Sequence, residues 1–323
     1  MLSDIHDTVR QNLESFGHKH THLMAAFCLY GAYTVGSTAL GWSWRFFKTF
    51  LRPSKNLFKR YHGGYVVVTG ATNGLGLGYA RKFAEKGFNL VLVARNSEKL
   101  NTVKSELLRS HPDIDIKLIQ FDFDKPYTEE GYASLKESLD MMGDISVLVN
   151  NVGAIGTNLF EDMPIDIITR VMNVNLIPQV VMTKFLLPRL LRRSKEEGKR
   201  TAILSVSSAA HYIRLPKSTM YSCTKSFNKT FSDVIGKEYG KYIDVMVTTP
   251  GPVISNMVNE KAPFVITPEA HARWVLSDLG YNTETFGHYR HWMSTTMFRL
   301  PLLGTQFIKM RDRYLNDKSK SSN

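Results

Sequence analysis

Short runs of β-branched and aliphatic residues alternate along the chain with segments whose apolar residues recur every three to four positions. The strand-type runs lie at 65–69, 90–94, 114–121, 145–149, 202–206 and 243–248. The helix-type segments lie at about 79–84, 98–109, 128–141, 165–191 and 221–239. Buried strands that alternate with helices are typical of βαβ units. The pattern therefore predicts an α/β fold with a doubly wound, Rossmann-like parallel sheet.

A stretch without charges precedes this pattern. Residues 21–44 contain no Asp, Glu, Lys or Arg, and they include aromatic residues of the kind found at membrane interfaces, Tyr30, Tyr33, Trp42 and Trp44. About 20 helical residues cross the apolar core of a bilayer, so the length suffices for a membrane-spanning helix. The many Gly, Ser and Thr residues weaken the span, which leaves a helix in the interface or a soluble packing helix as alternatives. A cleaved signal peptide fits poorly, because acidic residues precede the stretch and basic residues follow it.

The positive charge of the chain is concentrated at its two ends. Residues 1–62 hold eight Lys/Arg and three Asp/Glu, residues 288–323 hold seven and two, and the residues between hold 26 and 24. Nucleic-acid enzymes usually carry such an excess on the folded domain, so this distribution favours a membrane surface as the partner and not nucleic acid. Most basic residues near the apolar stretch follow it, which places the large domain in the cytosol by the positive-inside rule.

Three regions follow from these patterns. We expect a membrane anchor with a basic linker at 1–62, the α/β domain at 63–287, and a basic amphipathic extension at 288–323. The extension is expected to lie against the membrane without crossing it, because Arg299 interrupts its apolar run.

Cysteine and histidine usage adds little. Cys28 and Cys223 are too few for a disulfide framework. His18, His20 and His22 have no carboxylate or cysteine beside them that would complete a ligand set, so no metal site is predicted.

A glycine-rich segment follows the first strand and opens a helix. Its sequence at 69–76 is TGATNGLG. Gly70 suits a tight strand-to-helix turn, Gly74 lets the backbone approach a pyrophosphate at the helix N-terminus, and Gly76 permits close helix–strand packing. The position after a strand is what distinguishes a dinucleotide site from an ordinary glycine turn. The residues expected to hold the cofactor here are Gly70, Thr72, Asn73, Gly74, Leu75 and Gly76.

The end of the second strand indicates which dinucleotide is bound. Sites that prefer NAD usually place an acid there for the ribose 2′-hydroxyl, whereas this chain has Arg95 after Val93 and Ala94. A guanidinium pairs well with a 2′-phosphate. We therefore expect NADP(H) to be the cofactor.

Tyr221 and Lys225 have the residue types that carbonyl reduction requires. Hydride addition to a ketone needs an acid for the developing alkoxide, and the Tyr221 phenol can supply the proton. Lys225 lies one helical turn further on the same face. At ~4 Å and an effective dielectric of ~20 its charge contributes about 4 kcal/mol, which would lower the phenol pKa by roughly three. Taken alone, this pair is an ordinary i,i+4 helix pair.

Several further motifs follow in a fixed order. They are Asp122 after the third strand, the segment NNVG at 150–153, Asn175, Ser208, YSCTK at 221–225 and Pro250-Gly251. With the glycine pattern, they make residues 63–260 resemble the short-chain dehydrogenase/reductases. Singly, Ser208 has the alternative of a helix cap and Asn175 that of a structural amide.

The resemblance assigns further roles. It implies that Ser208 bonds the substrate oxygen, that Asn175 holds a water in a proton relay, and that Lys225 also binds the nicotinamide ribose. It also implies that Asp122 contacts the adenine. The remaining residues that it places at the cofactor are Asn151, Gly153, Tyr221, Pro250, Gly251 and Val253.

The segments ARNSEKL, TPGPVISNM and TPEAHARWVLSDLG narrow the resemblance. They are similar to the membrane-bound 17β-hydroxysteroid dehydrogenases and very-long-chain 3-oxoacyl-CoA reductases of the endoplasmic reticulum. The implied activity is NADPH-dependent reduction of a long-chain 3-oxoacyl-CoA in fatty-acid elongation. Steroid or retinoid oxidoreduction is the first alternative, and a non-catalytic membrane scaffold that retains the fold is the second.

The sequence says less about the cellular location and the oligomeric state. The resemblance implies the membrane of the endoplasmic reticulum, with the catalytic domain facing the cytosol. The tail KSKSSN lacks the lysines of a dilysine retrieval signal, which leaves the organelle open. Members of the family often pair through their long helices, so a homodimer is a further expectation.

Overall fold

The computed structural model describes residues 6–11, 15, 20–47, 51–256, 258, 264–299, 302–306, 308–310 and 313. Lys48, His18, Met257, Pro263 and the tail from residue 314 lie outside these described residues. The chain forms two compact units, Met1–Pro53 and Ser54–Asn323.

The first unit contains one long helix, α1 (Thr21–Phe46). At about 1.5 Å per residue its 26 residues extend for roughly 39 Å, enough to cross a bilayer. Its large apolar side chains are exposed, including Leu29, Tyr33 and Leu40. The Thr34 and Thr38 hydroxyls donate to carbonyl groups one turn earlier in the same helix, at 2.8 and 2.6 Å. These two hydroxyl groups are thus satisfied within the helix, and α1 is a candidate membrane anchor.

The second unit is built on a seven-stranded parallel sheet. Its strands are β1 (Tyr65–Thr69), β2 (Asn89–Ala94), β3 (Ile116–Gln120), β4 (Ile145–Asn150), β5 (Thr201–Val206), β6 (Ile243–Thr248) and β7 (Glu284–Thr285). Their order across the sheet is β3-β2-β1-β4-β5-β6-β7. The predicted doubly wound fold is confirmed. The third strand is shorter than the predicted run at 114–121.

Helices cover both faces of the sheet. They are α2 (Leu57–Tyr61), α3 (Gly74–Ala84), α4 (Ser97–Ser110), α5 (Glu129–Asp140), α6 (Ile165–Lys195), α7 (Ala210–Ile213), α8 (Thr219–Tyr239), α9 (Pro268–Asp278) and α10 (Tyr289–Phe298). Like α1, α6 is long and apolar enough to cross a membrane by composition. It is instead a core helix, because residues such as Met182, Leu186 and Leu190 pack against the sheet.

Alternation within the strands divides the core into two layers. Successive side chains of a strand point to opposite faces, so Val66 and Val68 enter one hydrophobic cluster and Val67 enters the other. The first cluster also receives Phe83 of α3, and the second receives Leu186 of α6. Both faces are therefore buried, which is why the strands read as continuous apolar runs and not as alternating ones.

The segment before β1 is held to the sheet by a buried carboxylate. Asp244 at the start of β6 accepts hydrogen bonds from Arg60 at 2.6 and 2.9 Å, from Arg200 at 2.7 Å and from the Tyr61 hydroxyl at 2.9 Å. This network explains why the second compact unit begins at Ser54 and not at residue 63, where the sequence pattern divides the chain.

Helix α10 also packs on this unit. Three side chains of α10 are buried, those of His291, Ser294 and Thr295. The second compact unit accordingly includes the segment from residue 288 that sequence analysis treats as a separate extension. Met293 and Met297, on the outer side of the same helix, are exposed.

Candidate active site

The carboxyl ends of the central strands form the candidate site. The strand order reverses between β1 and β4, and a crevice opens at such a switch point in doubly wound sheets. The glycine turn follows β1, the NNVG segment follows β4, Ser208 follows β5 and Pro250-Gly251 follows β6. The predicted motifs, spread over about 180 positions, thus meet at one edge of the sheet.

The glycines of the turn serve two geometric needs. Gly70 and Gly74 have φ of +66° and +52°, a region that residues with side chains rarely adopt. Gly76 lies so close to the turn that an added Cβ would collide with the Gly70 carbonyl oxygen and would stand 2.5 Å from Asn151 Nδ2. The close helix–strand packing expected at Gly76 is what the structure has.

The N-terminus of α3 is suited to an anion. No side chain caps its first N–H groups, and its first turn contains no acid. Asn73 occupies the N-cap position, but its amide donates to the Asn256 side chain at 2.9 Å. Thr72 and Leu75 are half-buried beside it. Unpaired N–H groups at the positive end of a helix dipole fit a dinucleotide pyrophosphate.

Asn151 and Gly153 support the turn from the neighbouring strand. The Asn151 amide donates to the carbonyl oxygens of Thr69 at 2.8 Å and Gly70 at 3.3 Å. A Cβ on Gly153 would lie 3.3 Å from Asn175 Oδ1 and 3.4 Å from Lys225 Nζ. Gly153 therefore brings the segment after β4 against two of the predicted catalytic residues.

Tyr221 lies at the start of α8 beside Ser208. Its side chain is half-buried, and its hydroxyl lies close enough to the Ser208 side chain for Ser208 to lower its pKa. Burial raises the pKa of Tyr221 by more than the neighbouring Ser208 side chain lowers it. The expectation of a lowered phenol pKa is corrected here: in the protein alone, the loss of hydration on burial raises it.

Lys225 is buried one helical turn further along α8. Its side chain is 3% exposed, and Nζ donates to the Val206 carbonyl oxygen at 2.9 Å. Nζ lies 5.8 Å from the centre of the Tyr221 ring. Burial lowers the pKa of Lys225 to about 8. An ammonium so close to its own pKa can exchange a proton near neutral pH.

Asn175 clamps the segment after β4. Its Oδ1 accepts from the Ala154 N–H at 2.7 Å, and its Nδ2 donates to the Ala154 carbonyl at 3.0 Å and to Thr224 Oγ1 at 2.9 Å. Both amide protons are thus engaged by protein atoms. The side chain therefore holds the segment after β4 in place. Any water bound to Asn175 would have to donate a hydrogen bond to Oδ1.

Arg95 and Asp122, the residues expected at the adenosine part of the cofactor, follow β2 and β3. Arg95 is exposed after β2, and among the described residues no carboxylate forms an ion pair with its guanidinium. Asp122 is half-buried after β3, and its carboxylate accepts from the Asp124 N–H at 3.1 Å. The two side chains follow adjacent strands of the sheet.

The segment after β6 reaches over the glycine turn. The Pro250 carbonyl accepts from the Ala209 N–H at 2.8 Å, and Val253 is buried in a bridge to Ile266. A Cβ on Gly74 would lie 3.0 Å from Ser255 Cβ. The segment after β6 therefore lies against the glycine turn that is expected to hold the pyrophosphate.

Several side chains at this edge were not predicted from the sequence. His211 Nδ1 lies 2.6 Å from the Ser208 carbonyl oxygen, Thr224 accepts from Asn175, and His291 Nε2 lies 3.0 Å from the Pro252 carbonyl oxygen. His211 and Thr224 are close in sequence to predicted residues, which is a usable signal. His291 has no such signal, because its partner lies 39 positions away.

Comparison with known proteins identifies the family of the chain. The family model for short chain dehydrogenases matches residues 64–265. The very-long-chain 3-oxoacyl-CoA reductase-B of Danio rerio is 33% identical over 277 residues, which cover 80% of this chain and 85% of that protein. The hydroxysteroid dehydrogenase-like protein 1 of Gallus gallus is 34% identical over 260 residues, or 76% and 74% of the two chains.

A solved structure agrees in fold. A 7β-hydroxysteroid dehydrogenase superimposes with a TM-score of 0.67 at 21% identity, covering 76% of this chain and 95% of that one. At this identity the likeness concerns the fold alone.

Proposed function

The chain belongs to the short-chain dehydrogenase family and is an oxidoreductase with a nicotinamide cofactor, and from that premise we propose that it reduces a lipid ketone with NADPH. The preferred substrate class is a long-chain 3-oxoacyl-CoA. The observation that carries the proposal is the convergence of Ser208, Tyr221 and Lys225 beside the glycine turn.

The cofactor, when bound, supplies the hydride. Tyr221 supplies the proton to the carbonyl oxygen, because its raised pKa keeps the phenol protonated at neutral pH. Ser208 orients that oxygen through its hydroxyl group, which lies beside Tyr221. Lys225 places a positive charge near the phenol and favours the tyrosinate that proton transfer leaves behind.

The preference for NADPH rests on Arg95. The side chain is exposed at the end of β2, where a 2′-phosphate would meet it, and no acid stands in its place. We expect Arg95→Ala to weaken NADPH binding at least tenfold and to leave NADH binding unchanged, since one charge-assisted contact is lost. Arg109→Ala, at the far end of α4, is the matched control. Tighter binding of NADH than NADPH by the unaltered protein would overturn the preference.

The membrane assignment completes the proposal. The exposed apolar surface of α1 supports a membrane anchor, and the basic residues that follow it support a cytosolic domain. The relatives named as very-long-chain 3-oxoacyl-CoA reductases support a lipid substrate. As the site of action we propose the membrane of the endoplasmic reticulum. A substrate held in that membrane would then reach the domain from the bilayer surface.

The decisive measurement is NADPH consumption by membranes that contain the full chain. A long-chain 3-oxoacyl-CoA is compared with oestrone and androstenedione, each at several concentrations. We expect the acyl-CoA to give the highest kcat/KM, and Tyr221→Phe to lower the rate at least 100-fold while NADPH still binds. A Tyr221→Phe protein that turns over normally would refute the assignment of the proton donor.

A steroid substrate is the second candidate. The observation that favours it is the similarity to a hydroxysteroid dehydrogenase-like protein at 34% identity. In the same assay, faster turnover of either steroid than of the acyl-CoA would select this candidate.

A further inference from the structure

Helix α10 brings a buried histidine to the segment that follows β6. His291 is fully buried, and its Nε2 lies 3.0 Å from the Pro252 carbonyl oxygen. A carbonyl oxygen only accepts, so Nε2 carries the proton and donates it to Pro252. Burial lowers the pKa of His291 to about 4, which keeps the imidazole neutral at physiological pH.

The imidazole lies directly against Gly251. A Cβ at that position would stand 2.7 Å from His291 Cδ2 and 3.2 Å from Cγ. Real Cβ atoms do not approach other atoms that closely, so the ring and any larger residue at 251 exclude each other. The absent side chain of Gly251 therefore makes room for His291, in addition to any role at the cofactor.

Pro252 joins the segment after β6 to Ile266. Its carbonyl oxygen also accepts from the Ile266 N–H at 3.3 Å, and the Ile254 N–H donates to the Ile266 carbonyl at 3.0 Å. These bonds join residues 252 and 254 to Ile266. Asn256, two residues after Ile254, bonds Asn73 of the glycine turn.

The same short segment is tied to the catalytic serine on its other side. The Pro250 carbonyl accepts from the Ala209 N–H at 2.8 Å, directly after Ser208. Residues 250–253 thus lie between α10 and the two parts of the site that must be aligned, Ser208 and the cofactor turn. Any shift of this segment would move both.

Resting on the reductase function proposed above, we propose that His291 is a positioning residue for hydride transfer, one that holds residues 250–253 in place for Ser208 and for the cofactor. Helix α10 is then part of the functional site. It is not merely an extension that follows the catalytic domain.

The groups around His291 explain why the donor is an imidazole. The His271 ring of α9 lies 5.7 Å from the His291 ring, and its Nε2 forms a hydrogen bond with the Thr248 hydroxyl. The His288 ring, at the start of α10, lies 6.4 Å from the His291 ring. Arg290 is exposed, and among the described residues no carboxylate is paired with any of the three histidines in this cluster. A permanently charged lysine or arginine would have no counter-ion here, whereas a neutral imidazole donates without one.

The test compares two variants of His291 in the full chain. His291→Phe keeps a ring of similar size and removes the donor, whereas His291→Gln places an amide N–H at about the same distance from the backbone. Ser294→Ala is the matched control, because Ser294 is buried on the same helix and its hydroxyl bonds only the His291 carbonyl. The readouts are NADPH affinity, amide hydrogen exchange at Ile254 and Ile266, and the separate values of kcat and KM.

We expect His291→Phe to weaken NADPH binding about tenfold and to speed exchange at both amides, as the loss of one well-placed hydrogen bond predicts. His291→Gln should restore both readouts to within about threefold of the unaltered protein, and Ser294→Ala should leave them unchanged.

Two results would overturn the proposal. One is unchanged affinity and exchange in His291→Phe, and the other is equal impairment of the Phe and Gln variants, which would indicate packing alone. Failure of the unaltered protein to bind any nicotinamide cofactor would instead refute the proposed function. Exchange at the two amides would still report on the His291 contact in that case.

Discussion

Tyr221 and Lys225 share one helix but differ in surroundings. Tyr221 begins α8 at the rim of the site, whereas Lys225 is turned inward to the end of β5. The same burial acts on their pKa values in opposite directions, because it disfavours a tyrosinate and also an ammonium. At neutral pH the pair is therefore a protonated phenol beside a lysine whose pKa is about 8.

This arrangement predicts a pH dependence of reduction. Lys225 has a pKa near 8, so its charge is present below that pH and is lost as the pH rises through it. The reduction rate should fall above about 8 in the unaltered protein, because the tyrosinate loses its neighbouring charge. In Lys225→Arg the guanidinium stays charged, so the fall should move to higher pH. A pH–rate profile with the same alkaline limb in both proteins would contradict this assignment.

Asn151 and Asn175 illustrate a different use of polar side chains. Both were predicted at the site. Their side-chain amides form hydrogen bonds with backbone atoms of the segments that carry the glycine and NNVG motifs. Buried amides that pair with backbone groups hold a loop in one conformation at little cost. Substitution of either asparagine would therefore affect catalysis through the shape of the cofactor site.

Among the elements, α2 is the clearest example of a short helix that depends on distant partners. It has five residues, too few for a stable isolated helix. Arg60 and Tyr61 at its end bind Asp244, 184 and 183 positions later. Burial of Asp244 opposes its ionisation, yet the hydrogen bonds from Arg60 and Arg200 prevail and its pKa is lowered.

Replacement of this carboxylate should destabilise the whole domain. We expect Asp244→Ala to lower the free energy of unfolding by about 3–5 kcal/mol, because two guanidinium groups lose their partner. Since the folded pKa lies below the unfolded value, the stabilisation is present above pH ~4 and is lost as the pH falls. Urea unfolding of the full chain in detergent at several pH values measures both effects.

A matched control is available on the surface. Asp140 pairs with Lys136 at 2.6 Å, and both side chains are more than half exposed. Asp140→Ala should cost no more than about 0.5 kcal/mol, as other exposed helix pairs do. Equal losses in the two variants would mean that burial of Asp244 has no energetic consequence.

At the scale of the whole molecule, the candidate anchor helix α1 and the α/β fold belong to separate compact units of one chain. The carboxylate network of Asp244 lies entirely within the second unit, as do the glycine turn and α10. Folding of the catalytic unit therefore draws on contacts that begin after residue 53.

Removal of residues 1–53 tests this division. The shortened protein should bind NADPH as the full chain does, because every described contact of the site lies in the second unit. It should also be extracted from membranes by alkaline carbonate, whereas the full chain should stay in the pellet. A full chain that is extracted as readily as the shortened one would contradict the membrane-spanning assignment of α1.

The strands, the glycine turn and the Tyr221–Lys225 spacing could be predicted from the sequence because each depends on neighbours within a few positions. β-Branched runs specify buried strands, and a pair four apart on a helix shares a face whatever surrounds it. The first strand at Tyr65–Thr69 and the sixth at Ile243–Thr248 were predicted with the bounds that the structure has.

Other features depend on the packing of distant segments, and only the tertiary structure decided them. The direction of the Tyr221 pKa follows from burial, the five-residue α2 from Asp244, and the place of α10 from the contact between His291 and Pro252. A local pattern specifies which conformation a segment prefers. Desolvation and long-range hydrogen bonds arise only when segments far apart in sequence are brought together, so no local pattern contains them.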